Sequence, residues 1–288
     1  MGQGLAEAIA SKGIEVILVD KTTKLAHRGM KGIAESIDRE IGRWGLTESD
    51  KKAILARIHP SADVSEAEDA EIVLEAIPED LYLKRELLQE LDDICPEETI
   101  LVTNTSTLSV SEIATFTKRP NKVIGMHFLN PVTRIPLVEI IKGLRTDEET
   151  FNKAVNFAET LDKKWITVNE YPGYVTTRII VPFLNEAMHV LMEGVASAED
   201  VDEAMKLGFG FNTGPLALAD QMGLDVVMTW MDNLLRELSE HKYNPCPLLR
   251  KLVRAGHLGV KTGRGFFKYD QDCNRIENAA TIVGGIIK

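Results

Sequence analysis

No apolar run in this chain approaches the roughly 20 residues that a bilayer-spanning helix needs. The N-terminus has no basic segment followed by an apolar core, so no secretory signal is expected. Gly2 does not announce a myristoyl anchor, because position 6 is Ala6 where that signal wants Ser or Thr. Cysteine is scarce. Cys95, Cys246 and Cys273 are odd in number and scattered, show no metal spacing, and point to free thiols in a reducing, cytoplasmic compartment with no metal centre. Bases are in deficit, 33 against 44 acids for a net charge of −11, which argues against a nucleic-acid partner. Repeats and low-complexity tracts are absent. What remains is a globular chain of 288 residues, 44% hydrophobic and 27% charged, long enough for two domains.

Short β-rich runs alternate with helical stretches through the first half. Ile14–Asp20 reads as a strand and Lys21–Trp44 as a long amphipathic helix. Glu71–Ile77 is a near-continuous apolar strand, followed by a helix through Leu91. Thr99–Thr103, Val123–His127, Leu137–Ile141 and Trp165–Val168 are further strands. Continuous apolar runs separated by helices predict a parallel sheet buried on both faces, with ligands outside the carboxyl ends of its strands. From Thr177 to about Val253 no strand is convincing, and apolar residues recur at helical spacing. Pro172-Gly173 breaks the chain between the two regimes. The expected fold is therefore α/β, a Rossmann-like doubly wound parallel sheet over 1–171, followed by an all-helical domain over 172–288.

Glycine is thin where such a sheet most wants it. A dinucleotide-binding βαβ unit has a glycine-rich turn at the helix start and an acid after the next strand, which binds the ribose hydroxyls. Asp20 stands 18 residues beyond Gly2, where that acid belongs, and its charge would favour NAD over NADP. The alternative is an ordinary acid capping the next helix. Of the turn itself only "GQG", with Gly2 and Gly4, is present.

Three later stretches are more specific: "EAIPEDLYLK", "NTSTLSVSEIA" and "GMHFLNPVTRIPLVEII". With "GPLALADQMGLD" and "LLRKLVRAGHLGVKTGRGFFKYD", they resemble the L-3-hydroxyacyl-CoA dehydrogenase family, and within it the single-function bacterial 3-hydroxybutyryl-CoA dehydrogenases. The resemblance runs from Met1 to about Asp270, and the last eighteen residues match nothing assigned. Met1 and Gly2 then correspond to the end of a GxGxMGxGIA turn. About a dozen residues, a strand and two glycines, would precede them in relatives, and the strand would lie at the centre of the sheet. A chain starting at Met1 is expected to bind NAD weakly and to show little activity.

The implied reaction moves a hydride between substrate C3 and nicotinamide while the C3 hydroxyl loses a proton. A base of near-neutral pKa suits that task, and His127 lies at the end of a predicted strand. Glu139, twelve residues on, would fix its tautomer and raise its basicity. A buried structural histidine and a surface acid are the plain alternatives; the resemblance makes these two the catalytic pair. It likewise gives Ser106 the C3 oxygen rather than a helix N-cap. It places Asn104 and Asn130 at the nicotinamide end of the pocket and makes Glu79 and Lys84 cofactor contacts, for which a surface ion pair is the rival. One catalytic position departs: the family's GFxVNR reads "GYVTTR" here, with Thr177 in the Asn place. Threonine keeps a short donor and acceptor but loses the amide's reach, so either Thr177 or Thr176 substitutes for it, directly or through water, or the substrate preference has shifted.

An acidic protein that binds coenzyme A needs a local basic site. Lys21, Lys24, Arg28 and Lys31 are spaced to share one helical face, in a region the family uses for CoA; an ordinary solvated face is the alternative. Met222, Val226, Val227, Met228 and Trp230 supply more apolar surface than one small domain needs, so a homodimer is expected; the alternative is that all of it is internal core. The expected activity is NAD-dependent oxidation of L-3-hydroxyacyl-CoA, of short chain such as 3-hydroxybutyryl-CoA, and the reverse reduction. The rivals are a dehydrogenase of a free hydroxy acid such as gulonate and a catalytically inert dimeric homologue.

Overall fold

The computed structural model describes residues 1–276 apart from Trp44, and the backbone of 282–283 and 286–287. The chain divides into two compact units, Met1–Tyr171 and Pro172–Lys288.

The first unit runs α1 (Gly2–Ala10), β1 (Val16–Val19), α2 (Thr23–Ile41), α3 (Glu48–Ala56), β2 (Ile58–Ser61), β3 (Ile72–Glu75), α4 (Leu81–Ile94), β4 (Ile100–Thr103), α5 (Val110–Ala114), β5 (Val123–Phe128), β6 (Leu137–Lys142), α6 (Glu148–Thr160) and β7 (Lys164–Asn169). The predicted long helix begins later than expected. Thr22 is its N-cap, accepting from the Leu25 N–H, and the expected end at Trp44 lies outside the described residues.

Every residue of β4 and β5 is buried, as a sheet covered on both faces requires. On one face Ile100, Val102, Ile124 and Met126 pack against Leu5 and Ala8 of α1 and Ala154 and Ala158 of α6. On the other, Leu101 and Val123 pack against Leu88 and Leu91 of α4 and Ile113 and Ala114 of α5. The two-residue alternation of a strand thus feeds two separate cores.

Strand direction is more mixed than a parallel sheet. β1 and β2 run parallel, as do β3, β4 and β5, but β6 pairs antiparallel with β5 and β7 runs parallel to β6. The parallel reading therefore needs correction beyond β5. The cause is connection length. Eight residues, 129–136, join β5 to β6, too few for a parallel crossover of about a dozen or more.

The strands form two sheets in this unit, β1-β2 and β3-β4-β5-β6-β7. Among the described residues β1 is bonded only to β2, and β3 only to β4. Helix α1 packs against both pieces. Leu5 and Ala8 face the larger sheet, while Ala6 and Ala10 join Ile33, Ile37, Ile54 and Ile58 beside the smaller one.

The second unit is built from α7 (Thr176–Met192), α8 (Ala198–Phe209), α9 (Pro215–Met222), α10 (Leu224–Leu238) and α11 (Pro247–Arg254), with two-residue strands β8 (Ile282–Val283) and β9 (Ile286–Ile287) near the chain end. Leu184, Met188, Leu216, Val227, Met231, Leu249 and Phe266 are among its fully buried core. Asp220 anchors the segment after α11: the N–H groups of Phe266 and Phe267 and the Tyr269 hydroxyl all donate to it, at 2.9–3.0 Å. A Cβ on Gly265 would fall 1.9 Å from Asp220 Oδ1, so only glycine admits this approach. Burial pushes the Asp220 pKa up to about 7, against those three hydrogen bonds.

Candidate active site

The register of the antiparallel pair puts His127 directly opposite Glu139. Directly opposed residues point to the same face, and here that is the α5 side. Gly125, two positions before His127, faces the same way. A Cβ there would meet Val110 Cγ2 at 2.7 Å and Ile141 Cβ at 3.1 Å, so glycine lets α5 settle close onto the strands.

His127 and Glu139 are 3% and 0% exposed, with Nδ1 2.6 Å from Glu139 Oε2. The carboxylate accepts from Nδ1–H, which leaves Nε2 as the basic nitrogen. Nε2 lies 3.0 Å from Ser106 Oγ, whose hydroxyl donates to it. Ser106 is not a helix cap; Ser109 caps α5, accepting from the Glu112 N–H. A hydroxyl, an imidazole and a buried carboxylate thus form one chain, with the geometry of a base whose tautomer is fixed from behind. Separating the acid from the imidazole would strand a fully buried carboxylate, a loss of about 3–5 kcal/mol by analogy with broken buried pairs.

Asn104 ties three strand ends together. Its N–H donates to the Glu75 carbonyl at 2.9 Å, and its Oδ1 accepts from the Phe128 N–H at 3.0 Å. Asn130 is exposed and precedes a cis peptide bond to Pro131. Thr177 is 1% exposed in the first turn of α7, within the second unit.

Lys84 is fully buried, its ammonium 2.7 Å from both oxygens of Glu75 and 4.0 Å from Glu79 Oε2. Glu75 also accepts from the Thr103 hydroxyl and the Ile77 N–H. Burial raises the Glu75 pKa, and the charge and hydrogen bonds of Lys84 oppose that rise. Glu79, half-buried, accepts from Thr105, Ser106 and Thr107. The surface-ion-pair alternative therefore fails for Lys84. Glu75 was not anticipated: an acid ending an apolar strand carries no mark of burial, and only the lysine nine positions on could have suggested a partner.

The cofactor end can be judged from the chain's own groups. Helix α1 begins with no side-chain cap and no acid in its first turn, so its leading N–H groups are available to an anion. The Cβ position of Gly2 lies 4.0 Å from Ala76 Cβ, which sets that helix start beside the end of β3. Asp20 follows β1 and is exposed, its Oδ1 accepting from the Lys21 N–H. A free helix start and an acid after the next strand fit a dinucleotide's pyrophosphate and ribose.

Of the basic stripe, Lys24, Arg28 and Lys31 are exposed on α2, and Lys31 lies 3.7 Å from Glu35. Lys21 precedes the N-cap and does not share the helical face, because the helix starts two residues after it.

Comparison with known proteins supplies the family. The model of the "3-hydroxyacyl-CoA dehydrogenase, NAD binding domain" matches residues 1–171, and that of the "3-hydroxyacyl-CoA dehydrogenase, C-terminal domain" matches 173–269. A probable 3-hydroxybutyryl-CoA dehydrogenase of Bacillus subtilis is 46% identical over 271 residues, covering 94% of each chain. The 3-hydroxybutyryl-CoA dehydrogenase of Clostridioides difficile is 41% identical, covering 94% of this chain and 96% of the relative. The crystal structure of (S)-3-hydroxybutyryl-CoA dehydrogenase from Ralstonia eutropha superposes with a TM-score of 0.84 at 43% identity, covering 94% of this chain and 96% of that one. With likeness of this degree along nearly its whole length, the chain belongs to the 3-hydroxyacyl-CoA dehydrogenase family and is, like the family, an NAD-dependent oxidoreductase.

Proposed function

We propose that this chain interconverts an L-3-hydroxyacyl-CoA and its 3-oxoacyl-CoA, with 3-hydroxybutyryl-CoA and acetoacetyl-CoA as the pair it handles, in fatty acid or butanoate metabolism. The observation that carries the reading is the Ser106–His127–Glu139 chain, with separations of 3.0 and 2.6 Å. In the oxidative direction His127 Nε2 takes the C3 hydroxyl proton, Ser106 donates to the same oxygen, and Glu139 stabilises the imidazolium that results. Bound NAD supplies the hydride acceptor. Its pyrophosphate is assigned to the α1 start at Gly2, its ribose to Asp20, and its nicotinamide end to the neighbourhood of Asn104 and Asn130. Thr177 stands in for the usual Asn toward the substrate, and Lys24, Arg28 and Lys31 hold the phosphates of the CoA moiety.

The same reading includes a homodimer formed through the second unit. Val227 belongs to that unit's core, while Met222, Met228 and Trp230 are half-buried against it. The support comes from elsewhere: Leu207 and Phe209 stand 78% and 77% exposed at the end of α8. A cytoplasmic setting agrees with three cysteines that are all free, and no described helix is long and apolar enough to cross a membrane.

Loss of NADH absorbance on adding acetoacetyl-CoA to the purified protein tests the activity. Turnover of the thioester and not of free 3-hydroxy acids is expected; reduction or oxidation of free acids alone would refute it.

A further inference from the structure

Glu79 lies four residues after Glu75, in the turn between β3 and α4. Its Oε1 accepts four hydrogen bonds: from the Thr105 hydroxyl at 2.8 Å, the Ser106 N–H at 2.8 Å, the Thr107 N–H at 2.7 Å and the Thr107 hydroxyl at 2.9 Å. Three consecutive residues of the β4–α5 loop are gathered on one carboxylate oxygen. The middle one, Ser106, gives its N–H to Glu79 and its hydroxyl to His127.

A Thr-Ser-Thr loop has no bulky side chain to pack and no proline to restrict it. Its shape is decided by where its N–H and O–H groups find acceptors. Thr105 and Thr107 are 1% and 2% exposed, so water is a poor substitute for the carboxylate. Behind Glu79, the enclosed Lys84 ammonium is fixed by Glu75 and lies 4.0 Å from Glu79 Oε2. That ammonium lies on the Oε2 side of the carboxylate, leaving Oε1 for the loop.

We propose that Glu79 is a positioning residue for the Ser106 hydroxyl, and that the buried Lys84–Glu75 pair is the fixed base against which Glu79 is set. This deepens the dehydrogenase reading and rests on it for the part Ser106 plays in the reaction. It differs from the cofactor contacts that family resemblance implies at these two positions: both residues act from behind the substrate oxygen's donor.

The test is a cycle of Glu79→Ala, Ser106→Ala and the double variant, with Glu79→Gln as the conservative change. Glu79→Ala is expected to lower kcat by about ten- to hundredfold, as a displaced catalytic group does. The Kd for NADH, read by fluorescence, should stay within about twofold of the parent value. In the Ser106→Ala background the same change should cost less than about twofold, since no hydroxyl remains to be placed. Glu79→Gln, which keeps an acceptor oxygen, should recover part of the loss. The 15N resonance of His127 Nε2 should move the same way in Glu79→Ala as in Ser106→Ala, a readout independent of turnover.

Weakened NADH binding with unchanged kcat would overturn the proposal in favour of a cofactor contact. Fully multiplicative losses in the double variant, or an unmoved His127 resonance in a folded Glu79→Ala protein, would overturn it as well. Should Glu79→Ala lose its circular dichroism, Glu79→Asp shortens the arm and takes its place under the same criteria. A parent protein that leaves acetoacetyl-CoA untouched would remove the dehydrogenase reading alone, with the resonance still deciding the positioning role.

Discussion

His127 and Glu139 occupy opposed positions on antiparallel neighbours, and their side chains meet at 2.6 Å where neither is more than 3% exposed. The pairing follows from strand register, so no loop has to close to assemble it. His127→Asn is expected to lower kcat by about 10²–10⁴-fold, the usual worth of a placed acid–base group, and to lower Tm as well, since it takes the imidazole from the buried Glu139 carboxylate. Glu139→Gln keeps an acceptor for Nδ1–H but loses the charge behind the imidazolium, so a smaller loss is expected. Steady-state rates with acetoacetyl-CoA and NADH, beside thermal melts, check both.

On the proposed reading, Thr177 offers one short hydroxyl where the family resemblance implies an amide. Thr177→Asn is expected to leave kcat/KM for acetoacetyl-CoA unchanged or to raise it. A large loss in a variant of unchanged Tm would mean that this pocket is organised around the hydroxyl.

Asp220 gives the second unit a pH-dependent stability. Its pKa is about 7 in the folded chain against 3.8 as an ordinary carboxyl, so the folded state holds the extra proton between those values. A raised folded pKa contributes stability that is full below the unfolded value and is lost as pH rises through about 7. The slope in that window is about 1.4 kcal/mol per pH unit. Burial raises the Asp202 pKa too, and its charge adds to the rise at Asp220. Asp220→Asn cannot titrate. The Tm of the parent relative to this variant should therefore fall between pH 5 and pH 8, as followed by calorimetry, and a constant difference would refute the assignment.

The exposed cations of α2 give a fourth expectation. Reversing Lys24 and Arg28 to Glu should raise KM for the CoA thioester several-fold, more at low salt than at high, and spare KM for NADH. Neither side chain is buried, so the fold should not change.

Strands were legible where both faces are buried. "ILVT" and "VIGMHF" are apolar but for Thr103 and His127 because the sheet is covered on each side. β2 was missed because "IHPS" holds a proline and two polar residues; among the described residues it pairs with β1 alone, and a strand at a sheet margin tolerates them. Helix α3 was missed although Thr47 and Asp50 form a capping box, a short signal in a polar stretch. The direction of β6 was illegible in its own residues, since hydrophobicity does not encode direction; only the eight-residue connection does. His127, Glu139 and Ser106 stood out through family likeness, and no periodicity would have singled them out. The Glu75–Lys84 pair and the fourfold role of Glu79 Oε1 had no such mark, because charged residues bonded to one another inside a core are spelled like charged residues in water.

The close seat of Gly265 on Asp220 has a practical consequence. A side chain at position 265 would push the Phe266–Tyr269 segment off the carboxylate that holds it. Gly265→Ala is thus expected to lower the melting temperature, as followed by calorimetry.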